Sequence, residues 1–235
     1  LLFRVDKELD KKSITDFISS IGLAFFLGDA PFVEGTAEHK LISSFLKRFS
    51  FIIKKVEKKL SKTAIKSRDK LPYTTVDGVH DNCQETRPCW WTNGFWGGMM
   101  WLMYLKSGNE MFRKIAEECE EKMDIGLSEK FFTLHHDVGF MWSLSSVASY
   151  KLTGNRKSQI RASHAASILA SRFNPCAQYI RAWEGPPASR AIIDCIMNVP
   201  ILEWASKFGT EPGPRYAQVA RLHADTVLRA FLRPD

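Results

Sequence analysis

The sequence predicts an all-α protein, because apolar residues return at helical period in one segment after another and the alternation of a half-buried strand is almost absent. The first segment, 38–62, is amphipathic and rich in Lys. The second, 90–107, begins among tryptophans and stops at Gly108-Asn109, a helix terminator. Segment 110–124 follows that turn, and 139–152 closes on Gly154-Asn155. Segment 157–172 ends before Asn174-Pro175, 192–208 before Gly209 and Glu211-Pro212-Gly213-Pro214, and 215–232 completes the series. Connections this short favour helical hairpins. Two stretches are too long, polar and turn-rich to be simple connections: 71–89, and 176–190 with its Pro186-Pro187. Such loops are usually either binding walls or disordered. No short repeat or composition break divides the chain, so 1–235 reads as a single domain.

Composition narrows the function classes. With 45% hydrophobic and 25% charged residues the chain is globular, which excludes disordered and fibrous classes. Most of the +7 charge lies before residue 71. The basic run Lys54-Lys55-Val56-Glu57-Lys58-Lys59 is broken by an acid and lacks stacking aromatics, so it reads as a solvated helix face, not a nucleic-acid surface. Five Cys are scattered without CxxC pairs or His at zinc-finger spacing, which points to reduced thiols and a cytoplasmic protein. The apolar stretch 21–27 is far too short to span a membrane, and no secretion signal is evident. Aromatics reach 12%, with seven Trp, and several stand beside polar residues between Trp90 and Trp142. They suit a cleft for a flat ligand such as a sugar ring, or a core.

Four segments carry possible chemistry. In Trp91-Thr92-Asn93-Gly94-Phe95-Trp96-Gly97-Gly98, three glycines at a helix start ask for a close approach. Either a ligand comes near, with Trp91 or Trp96 as a stacking wall, or another helix does. In His135-His136-Asp137-Val138-Gly139-Phe140, Asp137 stands where an N-cap would. Adjacent His135, His136 and Asp137 do not point to one centre, and HExxH spacing is missing, so no metal site is expected. In Ile192-Ile193-Asp194-Cys195-Ile196-Met197-Asn198, a carboxylate interrupts an apolar run. Burial there raises its pKa, as a general acid requires, unless an arginine pairs with it. Asn198, one turn on, is placed to bond Asp194 or a ligand. Finally His223, in Arg221-Leu222-His223-Ala224-Asp225, sits on an amphipathic helix as a ligand contact or a structural residue.

Taken in order, Trp91-Thr92-Asn93-Gly94-Phe95-Trp96, His136-Asp137-Val138-Gly139-Phe140, Ile192-Ile193-Asp194-Cys195 and His223-Ala224-Asp225 resemble glycoside hydrolase family 88, the unsaturated glucuronyl hydrolases. The resemblance implies a six-hairpin (α/α)6 barrel, of which this chain covers the N-terminal half or somewhat more, incomplete after Asp235. It implies Asp194 as general acid and base, Asp137 as the second essential carboxylate, and Trp91, His136, Phe140 and His223 around the sugar, with Asn93, Trp96 and Asn198 as further candidate contacts. The implied partner is an unsaturated oligosaccharide left by polysaccharide lyases, and no metal or organic cofactor is called for.

The reaction it implies is hydration of the C4=C5 vinyl ether of an unsaturated uronic acid. Asp194 protonates C4, then takes a proton from the water that attacks C5, and the hemiketal opens to expel the saccharide. Two neighbouring carboxylates resist ionising together, which keeps one of them protonated. The alternatives are an unsaturated rhamnogalacturonyl hydrolase and a non-catalytic helical carbohydrate-binding protein.

Overall fold

A computed structural model describes residues 37–183 and 190–232. The apolar stretch 21–27, Pro186-Pro187 and the terminal Arg233-Pro234-Asp235 lie outside the described residues. Helix α1 is Ala37–Lys66, and Lys54, Lys55, Lys58 and Lys59 are exposed on it, as a solvated face requires. After it come a two-residue ladder of β1 (Thr75–Val76) and β2 (Val79–His80), the short α2 (Cys83–Thr86), α3 (Asn93–Ser107) and α4 (Glu110–Ser128). Then follow α5 (Val138–Trp142), a π-helical turn (Ser143–Val147), α6 (Ala148–Thr153) and α7 (Arg156–Ser171). A second ladder pairs β3 (Phe173–Asn174) with β4 (Tyr179–Ile180), and the chain proceeds through α8 (Cys195–Asn198), α9 (Pro200–Phe208) and α10 (Pro214–Phe231). Among the described residues no helix is long and apolar enough to cross a membrane.

The described residues fall into two compact units. One comprises α1 and Met103–Asn109; the other takes Ser67–Leu102 and the described residues from Glu110 onward. In the second unit α7 is the hub: α4, α5, the π turn and α9 pack on it, and α10 packs on α9. Ala162, Ala165, Ala166 and Leu169 are buried on α7 at spacings of three and four, so its core face is mostly small and neighbours come close. Trp101, Trp142, Phe112, Ile115, Met123, Met141, Ile201 and Leu202 fill the space around it. At its start, Asn155 Oδ1 accepts from Lys157 N and Ser158 N, the cap expected of an Asn after a glycine stop.

Two departures from the predicted helices position the site. The segment expected as one helix, 139–152, contains the π turn, where Ser145 Oγ donates to Met141 O at 2.6 Å. Serine back-bonding of this kind loosens the α ladder. The segment expected as 192–208 is two helices, because Pro200 has no N–H to continue the first and opens α9 instead. As a result Asp194 is not mid-helix: it stands directly before α8.

Candidate active site

Asp137 precedes α5 and Asp194 precedes α8, and neither carboxylate accepts a hydrogen bond from its helix. The cap that would account for Asp137 without any function is therefore not made. The helices meet through Gly139 and Asn198: a Cβ on Gly139 would lie 2.4 Å from Asn198 Cα, so only glycine admits this approach. Asn198 Oδ1 accepts from Phe140 N at 2.7 Å and its Nδ2 donates to Asp194 O at 3.3 Å. One buried amide thus ties the backbone beyond one carboxylate to the backbone at the other.

Between them sits His136, 1% exposed. Its Nε2 is 3.4 Å from Asp137 Oδ1 and its Nδ1 is 3.9 Å from Asp194 Oδ1. His135 Nδ1 lies 3.4 Å from Asp137 Oδ2. The Asp194 side chain is 41% exposed, yet its Oδ1 is turned inward and buried. Asp137 Oδ1, Asp194 Oδ1, His136 Nε2 and His135 Nδ1 are all buried without a hydrogen-bond partner. Such orphaned atoms are rare in native interiors, and here they cluster, as in a site that awaits a polar ligand.

Protonation follows from this environment. Burial, then the charge of Asp194, pushes Asp137 up to about 6, with Asn198 acting weakly the other way. Burial also raises Asp194. His136 is held down at about 3 by burial and by the positive character of His135, Arg172 and His223, so it is a neutral imidazole near neutral pH. Two donor sets, His135/His136/Asp137 and His136/Asp194/Cys195, each bring three potential metal-ligand atoms within 4.8 Å, and both require His136.

Trp91 is half-buried beside Phe140, with ring centroids 5.8 Å apart, and edge-on to Phe95 at 5.5 Å. Other predicted contacts are placed behind the surface. Asn93 is buried and its Nδ2 donates to the carbonyls of Arg87 and Pro88, fixing the turn before α3. Trp96 is a core residue edge-on to His80. The glycine approach belongs to a helix and not to a ligand, since a Cβ on Gly94 would sit 2.2 Å from Met141 O. Asn198 bonds the backbone of Phe140 and Asp194 and also the Asp137 side chain, and His223 is wholly buried with Nδ1 accepting from Ile180 N at 3.1 Å. These four are buried and present little exposed surface.

Sequence reasoning passed over Trp183, Arg172 and Cys195. Trp183 is exposed and stands edge-on to His136 at 5.6 Å. Arg172 donates to the carbonyls of Arg181 and Ala182, His136 N donates to Ala182 O, and Ala182 N donates to Arg190 O, so Ala182 and Arg190 are held beside the site. The signal available was a tryptophan at the edge of a polar, proline-rich loop.

No protein-family model matches the chain. It is 37% identical over 155 residues, 62% of its length, to the unsaturated glucuronyl hydrolase of Bacillus sp. strain GL1, and 30% identical over 165 residues, 68% of its length, to the unsaturated chondroitin disaccharide hydrolase of Streptococcus pneumoniae. The crystal structure of the Bacillus sp. GL1 enzyme, described as responsible for the degradation of glycosaminoglycan, superposes with a TM-score of 0.64 at 31% identity, over 74% of this chain and 46% of that one. The chain is similar to unsaturated glucuronyl hydrolases over the part of them that it spans. It spans 39% and 40% of those two relatives' lengths. The likeness to these family members bears out the all-helical α/α-barrel class over the part of the barrel that this chain spans.

Proposed function

We propose that the protein is a hydrolase that removes the unsaturated glucuronic acid from the non-reducing end of oligosaccharides made by polysaccharide lyases. Asp194 is the general acid and base, and Asp137 is the carboxylate that shares the site's proton. Trp91, Phe140 and Trp183 offer the accessible ring surface for the sugar. His136, Asn198 and His223 hold the groups behind it. The observation that carries the reading is the pair of uncapped carboxylates, each at a helix start, each with raised proton affinity, converging on one neutral imidazole. In a vinyl ether hydration the exposed face of Asp194 delivers the proton to C4, and the carboxylate left behind deprotonates the water attacking C5. The cytoplasm suits five free thiols.

The test follows the ultraviolet absorbance of the C4=C5 bond in an unsaturated chondroitin disaccharide, with unsaturated rhamnogalacturonan fragments in parallel. Absorbance is expected to fall with the first substrate. Asp194→Asn should lower kcat by about 10²- to 10⁴-fold, the usual value of a placed proton donor, with its circular dichroism unchanged. Near-normal turnover by Asp194→Asn would sink the assignment.

A further inference from the structure

The two carboxylates share a difficulty that the mechanism leaves open. Asp137 is the more enclosed of the pair, its side chain 12% exposed against 41% for Asp194, so burial alone would place the shared proton on Asp137. The reaction needs it on Asp194. Something must favour the ionised form of Asp137 beyond its bond with Asn198, and the imidazole nitrogens nearest it are His136 Nε2 and His135 Nδ1, each at 3.4 Å.

An imidazole with one proton can carry it on either nitrogen, and its neighbours decide which. Behind His136, Cys195 Sγ lies 3.1 Å from Nδ1, and Sγ itself receives Ile192 N at 3.5 Å. Cys195 is fully buried, and burial pushes its thiol up to about 11, so the sulfur keeps its hydrogen. A neutral sulfur is a weak acceptor, and this one already faces an N–H. An S–H aimed at Nδ1 makes that nitrogen the unprotonated one, and the proton then sits on Nε2, on the side of Asp137.

We propose that Cys195 is a positioning residue whose thiol fixes His136 in the Nε2–H tautomer, so that the imidazole turns an N–H toward Asp137 and leaves the proton of the carboxylate pair on Asp194. The inference rests on the proposed hydration chemistry for its consequence, but not for the tautomer itself. The polarity is continuous: Ile192 N–H to sulfur, S–H to Nδ1, Nε2–H toward Asp137. With the other tautomer the lone pair of Nε2 would face Asp137 and invite it to hold the proton as O–H, disarming Asp194. The ionisable groups acting on the imidazole come from every side: His135 and Asp137 along the chain, Asp194 and Cys195 from α8, Arg172 after α7, and His223 from α10.

The experiment labels the histidine rings with ¹⁵N and reads the two ring shifts of His136, assigned by loss of its signals in His136→Asn, in the wild-type protein, Cys195→Ser and Cys195→Ala. Wild type and Cys195→Ser, which keeps a donor, are expected to show the proton on Nε2; Cys195→Ala should populate Nδ1–H. In turnover, Cys195→Ala should lose roughly 10- to 100-fold in kcat, as when other residues that orient a functional imidazole are removed. Its KM should change little, its pH profile should be displaced, and Cys195→Ser should restore most of the rate. A wild-type proton on Nδ1, or an alanine variant with unchanged tautomer and pH profile, overturns the inference. If Cys195→Ala does not fold, the wild-type and serine spectra still decide it. Absence of turnover on any unsaturated substrate would overturn the proposed function, while the ring shifts would still report on Cys195.

Discussion

Two buried carboxylate sites in this protein are built from different neighbours. Glu120, 1% exposed on α4, accepts from Ser146 Oγ at 2.9 Å and has Arg161 Nη1 at 3.7 Å, while Ser149 and Ser158 also draw its pKa down against burial. Asp137 is buried too, but the groups in ion-pair range are two imidazoles, with a second carboxylate adding to its proton affinity. At Glu120 the sequence supplies hydroxyls from the π turn and α7 and a cation shared with Asp124. At Asp137 it supplies no comparable cushion. Burial raises the proton affinity of both, and the difference lies in the neighbours: at Glu120 hydroxyls and a cation oppose the rise, whereas at Asp137 a second carboxylate adds to it.

The largest effect that tests this contrast is expected at Glu120. Arg161→Met removes the cation and leaves a carboxylate in the core, which typically costs about 3–5 kcal/mol. Urea unfolding should show that loss, whereas kcat of the folded fraction should hold to within a few-fold. A variant as stable as wild type would mean that the serines suffice and that the two sites differ less than their geometry says.

A smaller effect of opposite sign belongs to Asp137. Its folded pKa, about 6, lies above the ordinary aspartate value of 3.8, so the folded state holds a proton that the unfolded chain has released between these values. The associated stability is complete below the unfolded pKa and is lost as pH rises through the folded one. Asp137→Asn should therefore match wild type near pH 4 and exceed it at pH 7 by up to about 3 kcal/mol, the free energy of such a shift. The coupling to Asp194 spreads the transition. Denaturant midpoints across this range measure it, and a gap that fails to open with rising pH would show that Asp137 is as well cushioned as Glu120. Activity should fall in the same variant.

The helical class and the Asp137 side of this contrast are legible in the sequence, whereas Glu120 is not, and the missing parts have physical reasons. The helix period and the stops at Gly108-Asn109 and Gly154-Asn155 locate most helices, and the ordered motifs single out Asp137, Asp194 and His136. What one-dimensional reading misses is which way a side chain is committed. Asn198 looked free to meet Asp194 or a ligand, but its amide is consumed by the backbone of Phe140 and Asp194. Asn93 and Trp96 stand in a motif rich in rings and glycines, and the demand there came from Met141 backbone pressing on Gly94. Cys195 passed as part of an apolar run because its partner, His136, lies 59 residues away in the chain. The split of 192–208 turns on Pro200, which opens a new helix although the apolar period continues on both sides of it.

That split also sets the smallest of these effects. Asn198→Ala removes the acceptor of Phe140 N, a part-buried donor that then goes without its partner, at a cost of about 1–3 kcal/mol. Because the same amide steadies the backbone at Asp194, kcat should fall, and because its hydrogen bond holds down the proton affinity of Asp137, the pH profile should move upward. Asn198→Asp keeps an acceptor for Phe140 N but places a third carboxylate at the site. It should recover part of the stability and raise the proton affinity of Asp137 further. Thermal melts and pH profiles of the two variants separate the roles: equal stability losses would show that the bond to Phe140 N contributes little, and an unshifted profile in Asn198→Asp would place Asn198 outside the electrostatic reach of the pair.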